Sequence, residues 1–165
     1  MPVTLAALNA ASCDEFTSAL AHLFEHSPWV AAETWPHRPF RDASQLHAQL
    51  CRTMHAATQE QQSALIQAHP DLAGRMALTA ASAGEQSSAG LDRLSEHELA
   101  AFQNLNAEYR ARFGIPFIIC ARLNDRTAIL AAMQSRLFND SSTEHAAALA
   151  EIEKIAWLRL QDSLA

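Results

Sequence analysis

His69 closes an apolar helical stripe. Leu65 and Ile66 stand four and three residues before it, which puts all three on one helix face. Pro70 steers His69 away from helical dihedrals, so the spacing predicts a helix that ends there. A histidine held at such a place can exchange a proton near neutral pH. It can equally be a core histidine bonded to backbone, and its own surroundings leave both readings open. The stretch Gln67-Ala68-His69-Pro70-Asp71-Leu72-Ala73-Gly74 leads into a segment that reaches Leu91 and holds Gly74, Gly84 and Gly90 of the chain's four glycines. Irregular backbone on a helical scaffold is where functional groups concentrate. Ser82-Ala83-Gly84-Glu85 fits a capping box, and a carboxylate near His69 can also orient the imidazole or raise its pKa. Gln86 adds an amide.

A second chemical position is Arg159. Ile152, Ile155, Ala156 and Arg159 follow i, i+3, i+4, i+7, so the guanidinium starts from a buried face. It needs an anionic or hydrogen-bonding partner there, because desolvating it alone is costly. The competing reading is an arginine at a helix end that reaches solvent and pairs with a Glu. Arg136, seven residues after Ile129, raises the same question. His22-Leu23-Phe24-Glu25-His26 matches H-x-x-E-H, and a shared helix face would let His22 and His26 hold zinc. Pro28 ends that helix at once, and no downstream Glu stands out as a third ligand. The chain has no G-x-S-x-G, Walker or dinucleotide pattern. Cys51 and Cys120 sit in apolar contexts that favour inert thiols.

The elements that position these groups read as helices. Ala and Leu dominate and β-branched residues are few, which predicts an all-α chain. A short helix is expected over Thr4 to Asn9. The box Ser12 to Glu15 opens a stripe of Phe16, Ala19, Leu20, Leu23 and Phe24. Ser27-Pro28 opens a short helix through Trp35, followed by a connector from Pro36 to Pro39. Asp42 caps a helix that carries Leu46, Leu50 and Met54, and Gln59 to Ala68 forms the next. From Pro70 to Leu94 periodicity fades, apart from one helical turn near Asp71 to Ala77 and another after Ser82. The box Ser95 to Glu98 starts a long helix with Phe102, Tyr109 and Phe113, stopped by Gly114 and Pro116. Phe117 to Cys120 is apolar and too short to distinguish strand from buried helix. Asp125 to Phe138 is helical, with Ile129, Leu130, Met133 and Leu137 inward. Ser141 to Glu144 caps a last helix that reaches about Ser163.

At 165 residues the chain is expected to form one compact multi-helix domain over 1–165, with an irregular Gly-rich site segment. The formal net charge is −6 with no basic cluster, which disfavours nucleic acid and anionic membranes. Three cysteines without a C-x-x-C pair suggest reduced thiols. No run approaches the ~18 apolar residues of a membrane span, and the N-terminus lacks a signal-peptide pattern. A soluble cytoplasmic protein is expected.

The ordered stretches Glu25-His26-Ser27-Pro28-Trp29-Val30-Ala31, Arg38-Pro39-Phe40, His69 to Gly74, Ser82 to Gln86 and Ser88 to Leu91 form the first part of a wider pattern. Asn106 with Tyr109, Phe113 to Ile119, Arg136-Leu137, and Ala148 to Ala156 with Arg159-Leu160 complete it. Together they resemble the 2-oxo-4-hydroxy-4-carboxy-5-ureidoimidazoline (OHCU) decarboxylases of urate breakdown. No single stretch is decisive; the ordered set is specific. The resemblance implies a decarboxylase without cofactor or metal, whose substrate is the product of 5-hydroxyisourate hydrolysis and whose product is (S)-allantoin. It implies His69 and Glu85 as catalytic residues. It implies substrate contacts at Pro70, Ser82, Ala83, Gly84, Glu85, Gln86 and Arg159. Backbone groups of Phe117, Ile118, Ile119, Cys120 and Ala121 would surround the ring. The family often forms homodimers, so a homodimer is possible. Two other readings stay in view: a helical binding module without turnover, and a zinc hydrolase built on His22 and His26.

Overall fold

The computed structural model describes residues 2–74 and 78–165. Among these residues the chain forms nine α-helices and no β-strand. The all-α expectation holds. One isolated parallel bridge joins Val3 and Leu164. No helix of the described residues is long and apolar enough to cross a membrane. The chain divides into two compact units, one comprising residues up to Ala68 with Glu153–Ala165, the other His69–Ile152.

The first unit holds α1 (Leu5–Ala10), α2 (Cys13–Leu20), α3 (Trp29–Thr34), α4 (Ala43–Ala56) and α5 (Gln59–Gln67), with the end of α9 (Ser141–Ser163). Ser12 and Glu15 form the expected capping box, and Asp42 accepts from the Gln45 amide at the start of α4. Leu46, Leu50 and Met54 are fully buried on the inner face of α4. Each such side chain is worth roughly 1.5–3 kcal/mol relative to exposure. Of the stripe behind Ser12, Phe16, Leu20, Leu23 and Phe24 are buried and Ala19 is half-buried, but α2 stops at Leu20 and the chain tightens into a 3₁₀ turn, Ala21–Leu23. Arg38 fastens the following connector. Its Nε donates to Trp35 O at 2.9 Å, and one terminal nitrogen donates to Asn9 O and Ala11 O, both at 2.7 Å.

The second unit holds α6 (Ala80–Ser88), α7 (Glu96–Phe113), α8 (Arg126–Arg136) and the first part of α9. Its core gathers Phe102, Tyr109, Phe117, Ile129 and Met133, with Leu72 and Leu91 from the irregular segment. The box at Ser95 and Glu98 is present, and Gly114 ends α7 in the left-handed region at φ 69°, where glycine carries no Cβ penalty.

Three expectations change here. The segment after Pro70 contains a nine-residue helix, α6, capped by Thr79, whose hydroxyl accepts from the Ser82 amide. Its small residues, Ala80, Ala81, Ala83 and Gly84, leave no apolar stripe to read. The turn expected over Asp71 to Ala77 is a turn at Leu72–Ala73, closed by Gly74 N donating to Asp71 O at 3.3 Å. The rest of that expectation, Arg75 to Ala77, lies outside the described residues. The N-terminus of α9 is capped by Asp140, whose carboxylate accepts from Thr143 N at 2.7 Å. Glu144, read from sequence as part of that cap, turns inward and is fully buried.

Candidate active site

His69 stands two residues beyond the end of α5 and is 8% exposed. Pro70 prevents the helix from continuing through it. Three side chains pin the loop that follows. Gln86 Oε1 accepts from the Ala73 amide at 3.0 Å. Asn106 Nδ2 donates to Leu72 O at 2.9 Å. Arg110 donates to Asp71 Oδ1 at 2.9 Å. Ala73 takes φ 55°, a left-handed conformation that costs an L-residue roughly 1–2 kcal/mol. Gly74 serves a different need. A Cβ there would lie 3.1 Å from Asp71 O, so glycine permits the close approach.

The helix α6 carries the acidic group. Ser82 and Gln86, one helical turn apart, are its buried face, while Ala83 and Gly84 are exposed and Glu85 is half-buried. Ser82 is therefore not a cap paired with Glu85, and the carboxylate is not spent on a capping box. Ser82 N instead donates to Thr79 Oγ1 at 3.2 Å. Thr79, three residues before Ser82, carries the cap signal in the sequence. The helix packs on the 3₁₀ turn Ala121–Leu123. The Cys120 thiol is pushed up mainly by burial, with the charges of Glu151 and Glu85 adding to it.

In the Phe117–Ala121 run, Phe117 to Cys120 lie in neither helix nor strand, Ala121 opens the 3₁₀ turn, and all five residues are buried. The run's position is set by Arg136. One terminal nitrogen donates to Ile118 O at 2.7 Å, and the guanidinium lies 4.3 Å over the Phe117 ring. Arg136 Nε donates to Glu144 Oε1 at 2.8 Å. Tyr109 Oη donates to the same oxygen at 2.5 Å, and Asn139 Nδ2 donates to Glu144 Oε2 at 2.9 Å. Glu144 is the hub of this buried network, a role that local spacing gave no hint of.

Arg159 lies in the other unit. It is 4% exposed, so it is buried as its stripe implies and does not reach solvent. Its partner is Glu25, 3% exposed, whose Oε1 accepts from the guanidinium at 2.8 Å. His22 O accepts from the other terminal nitrogen at 2.9 Å. The shared helix face proposed for His22 and His26 does not exist. His22 is in the 3₁₀ turn and His26 lies beyond it with φ 46°. The three cysteines are free. Cys51, 3.4 Å from His47 Nε2, is pushed up to about 12 by burial and then by the charge of Glu153, so it is a protonated thiol at neutral pH.

The fold therefore gathers His69, Pro70, Ser82, Ala83, Gly84, Glu85, Gln86 and the Phe117–Ala121 run in one unit, and holds Arg159 in the other. The model of one protein family, OHCU decarboxylase, matches residues 9–161. A 2-oxo-4-hydroxy-4-carboxy-5-ureidoimidazoline decarboxylase of Haloferax volcanii is 42% identical over 160 residues, covering 97% of this chain and 95% of the relative. The corresponding protein of Amia calva is 41% identical over 159 residues, covering 94% and 91%. Among solved structures, a crystal structure of (S)-allantoin synthase superposes with a TM-score of 0.78 at 30% identity. That match covers 98% of this chain and 54% of the solved one, so this chain spans about half of that protein's length.

Proposed function

We infer that this chain, which belongs to the OHCU decarboxylase family, releases carbon dioxide from 2-oxo-4-hydroxy-4-carboxy-5-ureidoimidazoline and leaves (S)-allantoin. The observation that carries the reading is the family match, which runs through every proposed site residue from His69 to Arg159. The enzyme is a carboxy-lyase of urate breakdown.

The chemistry sets the tasks. The bond between the ring carbon and its carboxylate breaks, and the electron pair moves into the ring toward the conjugated imine. The hydroxyl on the same carbon loses its proton as it becomes the ring carbonyl. The neighbouring carbon, which carries the ureido group, gains a proton on one face, and the former imine nitrogen gains another. Starting from the carboxylate, the balance takes up one proton. The substrate supplies its own electron sink, so the protein's share is orientation, charge stabilisation and proton delivery.

His69 is the acid–base residue of this proposal, close-packed and limited in movement by Pro70. Glu85 orients it and favours its protonated form. Ser82, Gln86 and Pro70 border the substrate, Ala83 and Gly84 offer backbone, and the Phe117–Ala121 run surrounds the ring. Arg159 binds the substrate by its planar fork. A homodimer belongs to the same reading on family grounds, and a cytoplasmic location on the reduced state of the three cysteines.

The test adds the protein to freshly generated substrate and follows chiral allantoin by circular dichroism. Faster appearance of the S enantiomer is expected. Racemic product at the uncatalysed rate rejects the reading, and ligand binding without acceleration would make the chain a binding module.

A further inference from the structure

Glu25 is part of the stretch Glu25 to Ala31, yet the reaction assigns it no task. Its side chain is 2% exposed and faces Arg159, 4% exposed, at 2.8 Å. A buried ion pair is weak evidence for stability, because two desolvated charges cost about as much as their attraction returns. The turn around Glu25 is also built against local preference. Phe24 and Glu25 are both buried. The chain leaves Phe24 extended and places His26, a non-glycine residue, at φ 46°. Ser27 then locks the turn: its amide donates to Phe24 O at 3.2 Å and its hydroxyl donates to Glu25 O at 2.8 Å. Strained backbone persists where the surroundings over-determine it, and such places cluster at functional sites.

The arginine is fixed from two directions by this one segment. Glu25 takes one terminal nitrogen and His22 O takes the other. The backbone of Arg159 is held as well. Its carbonyl accepts from Ser163 Oγ at 2.7 Å, and the same hydroxyl lies 2.7 Å from His22 Nε2. A bare arginine side chain has several rotatable bonds, and each must be frozen before its fork can meet a ligand. A fork held in advance makes that ordering part of folding instead of binding.

We propose that Glu25 is a positioning residue, whose buried carboxylate, presented by the strained turn at His26, holds the Arg159 guanidinium in its substrate-binding orientation. This rests on the reading of Arg159 as a substrate contact. Glu25 touches no substrate and acts only through the arginine.

The experiment measures kcat, KM and Tm of the full chain on OHCU for Glu25→Asp, Glu25→Gln, Arg159→Lys and the double variant Glu25→Gln/Arg159→Lys. Glu25→Asp keeps the charge but shortens its reach by one methylene. It should fold and raise KM at least about tenfold, with kcat changed by less than about threefold, a tenfold change being ~1.4 kcal/mol. In the Arg159→Lys background, Glu25→Gln should add little to the KM already lost, since its route to the substrate is gone. Wild-type KM in Glu25→Asp with a lowered Tm would make the pair a fold element and overturn the proposal. Additive KM effects in the double variant would also overturn it. If Arg159→Lys itself leaves KM unchanged, the parent reading of Arg159 is what fails. Glu25→Asp provides the decision if Glu25→Gln does not fold.

Discussion

Gln86 and Ala73 are joined by a 3.0 Å hydrogen bond from the loop amide to the side-chain oxygen. That bond ties the loop that begins at His69 to the helix that carries Glu85. Gln86 is therefore a tie within the site as well as a proposed substrate neighbour. Gln86→Ala strands the Ala73 N–H, a loss of about 1–3 kcal/mol when the donor stays shielded. Chemical denaturation should show that loss, together with a fall in kcat/KM. Full stability in Gln86→Ala would mean that the loop finds another acceptor.

His69→Asn should lower kcat by at least ~10²-fold, the lower end of what a positioned acid–base group supplies. Asparagine keeps a hydrogen bond but exchanges no proton near pH 7. Affinity for a substrate analogue should change far less. Retention of more than a tenth of wild-type kcat would reduce His69 to a residue that only orients the substrate.

Gly84 gives a test of the exposed face of α6. A Cβ there meets no atom within 4 Å, so Gly84→Ala is sterically free in the unliganded chain. Alanine favours a helix over glycine by about 0.5–1 kcal/mol. Tm should rise. KM should rise too, because substrate that approaches the Gly84 backbone meets the new methyl group. A raised Tm with unchanged kinetics removes Gly84 from the substrate surface.

The Glu144 network should dominate the stability of its unit. Glu144→Ala leaves the Arg136 guanidinium without its buried partner, and breaking such a pair costs about 3–5 kcal/mol. Tyr109→Phe removes one bond to a charged acceptor, about 1.5–3 kcal/mol. The two losses should not add, since both variants act on one carboxylate oxygen. Urea titrations of the single and double variants decide it, and strict additivity would contradict a shared hub.

Stability should fall at both ends of the pH scale, for identifiable reasons. The His22 pKa is lowered from 6.5, first by burial and then by the charge of Arg159. The folded state thus binds fewer protons than the unfolded one as pH drops below 6.5, and stability is lost there. Cys51 is pushed up to about 12, so the folded state keeps a proton that the unfolded chain releases above about 9. Stability should therefore decline from pH ~9 toward ~12, and Cys51→Ala should flatten that limb. A Tm–pH profile records both limbs; an alkaline limb unchanged in Cys51→Ala would assign it elsewhere. Tyr109, also raised mainly by burial and then by its bond to Glu144, is the next candidate.

What the sequence determined is what short-range spacing can carry. Capping boxes at Ser12 and Ser95 span one helical turn, and their geometry needs nothing beyond the local chain. Stripes of period 3.6 told that Leu46, Leu50, Met54 and Arg159 face inward. The ordered motifs identified the family, because a pattern distributed over the whole chain is specific even when each piece is weak. The sequence shows only one turn of α6, after Ser82, since its alanines and serines make no stripe, although Thr79 marks its start.

Only the tertiary structure decided who meets whom. Ser141 to Glu144 satisfies the cap pattern in sequence, yet Asp140 takes the cap and Glu144 joins Tyr109, 35 residues away. The burial of Arg159 was legible, but its partner Glu25 lies 134 residues earlier in the chain. A side chain's spacing fixes the face from which it leaves its helix. The group it reaches is fixed by how distant segments pack, and a buried charge takes whichever partner that packing supplies.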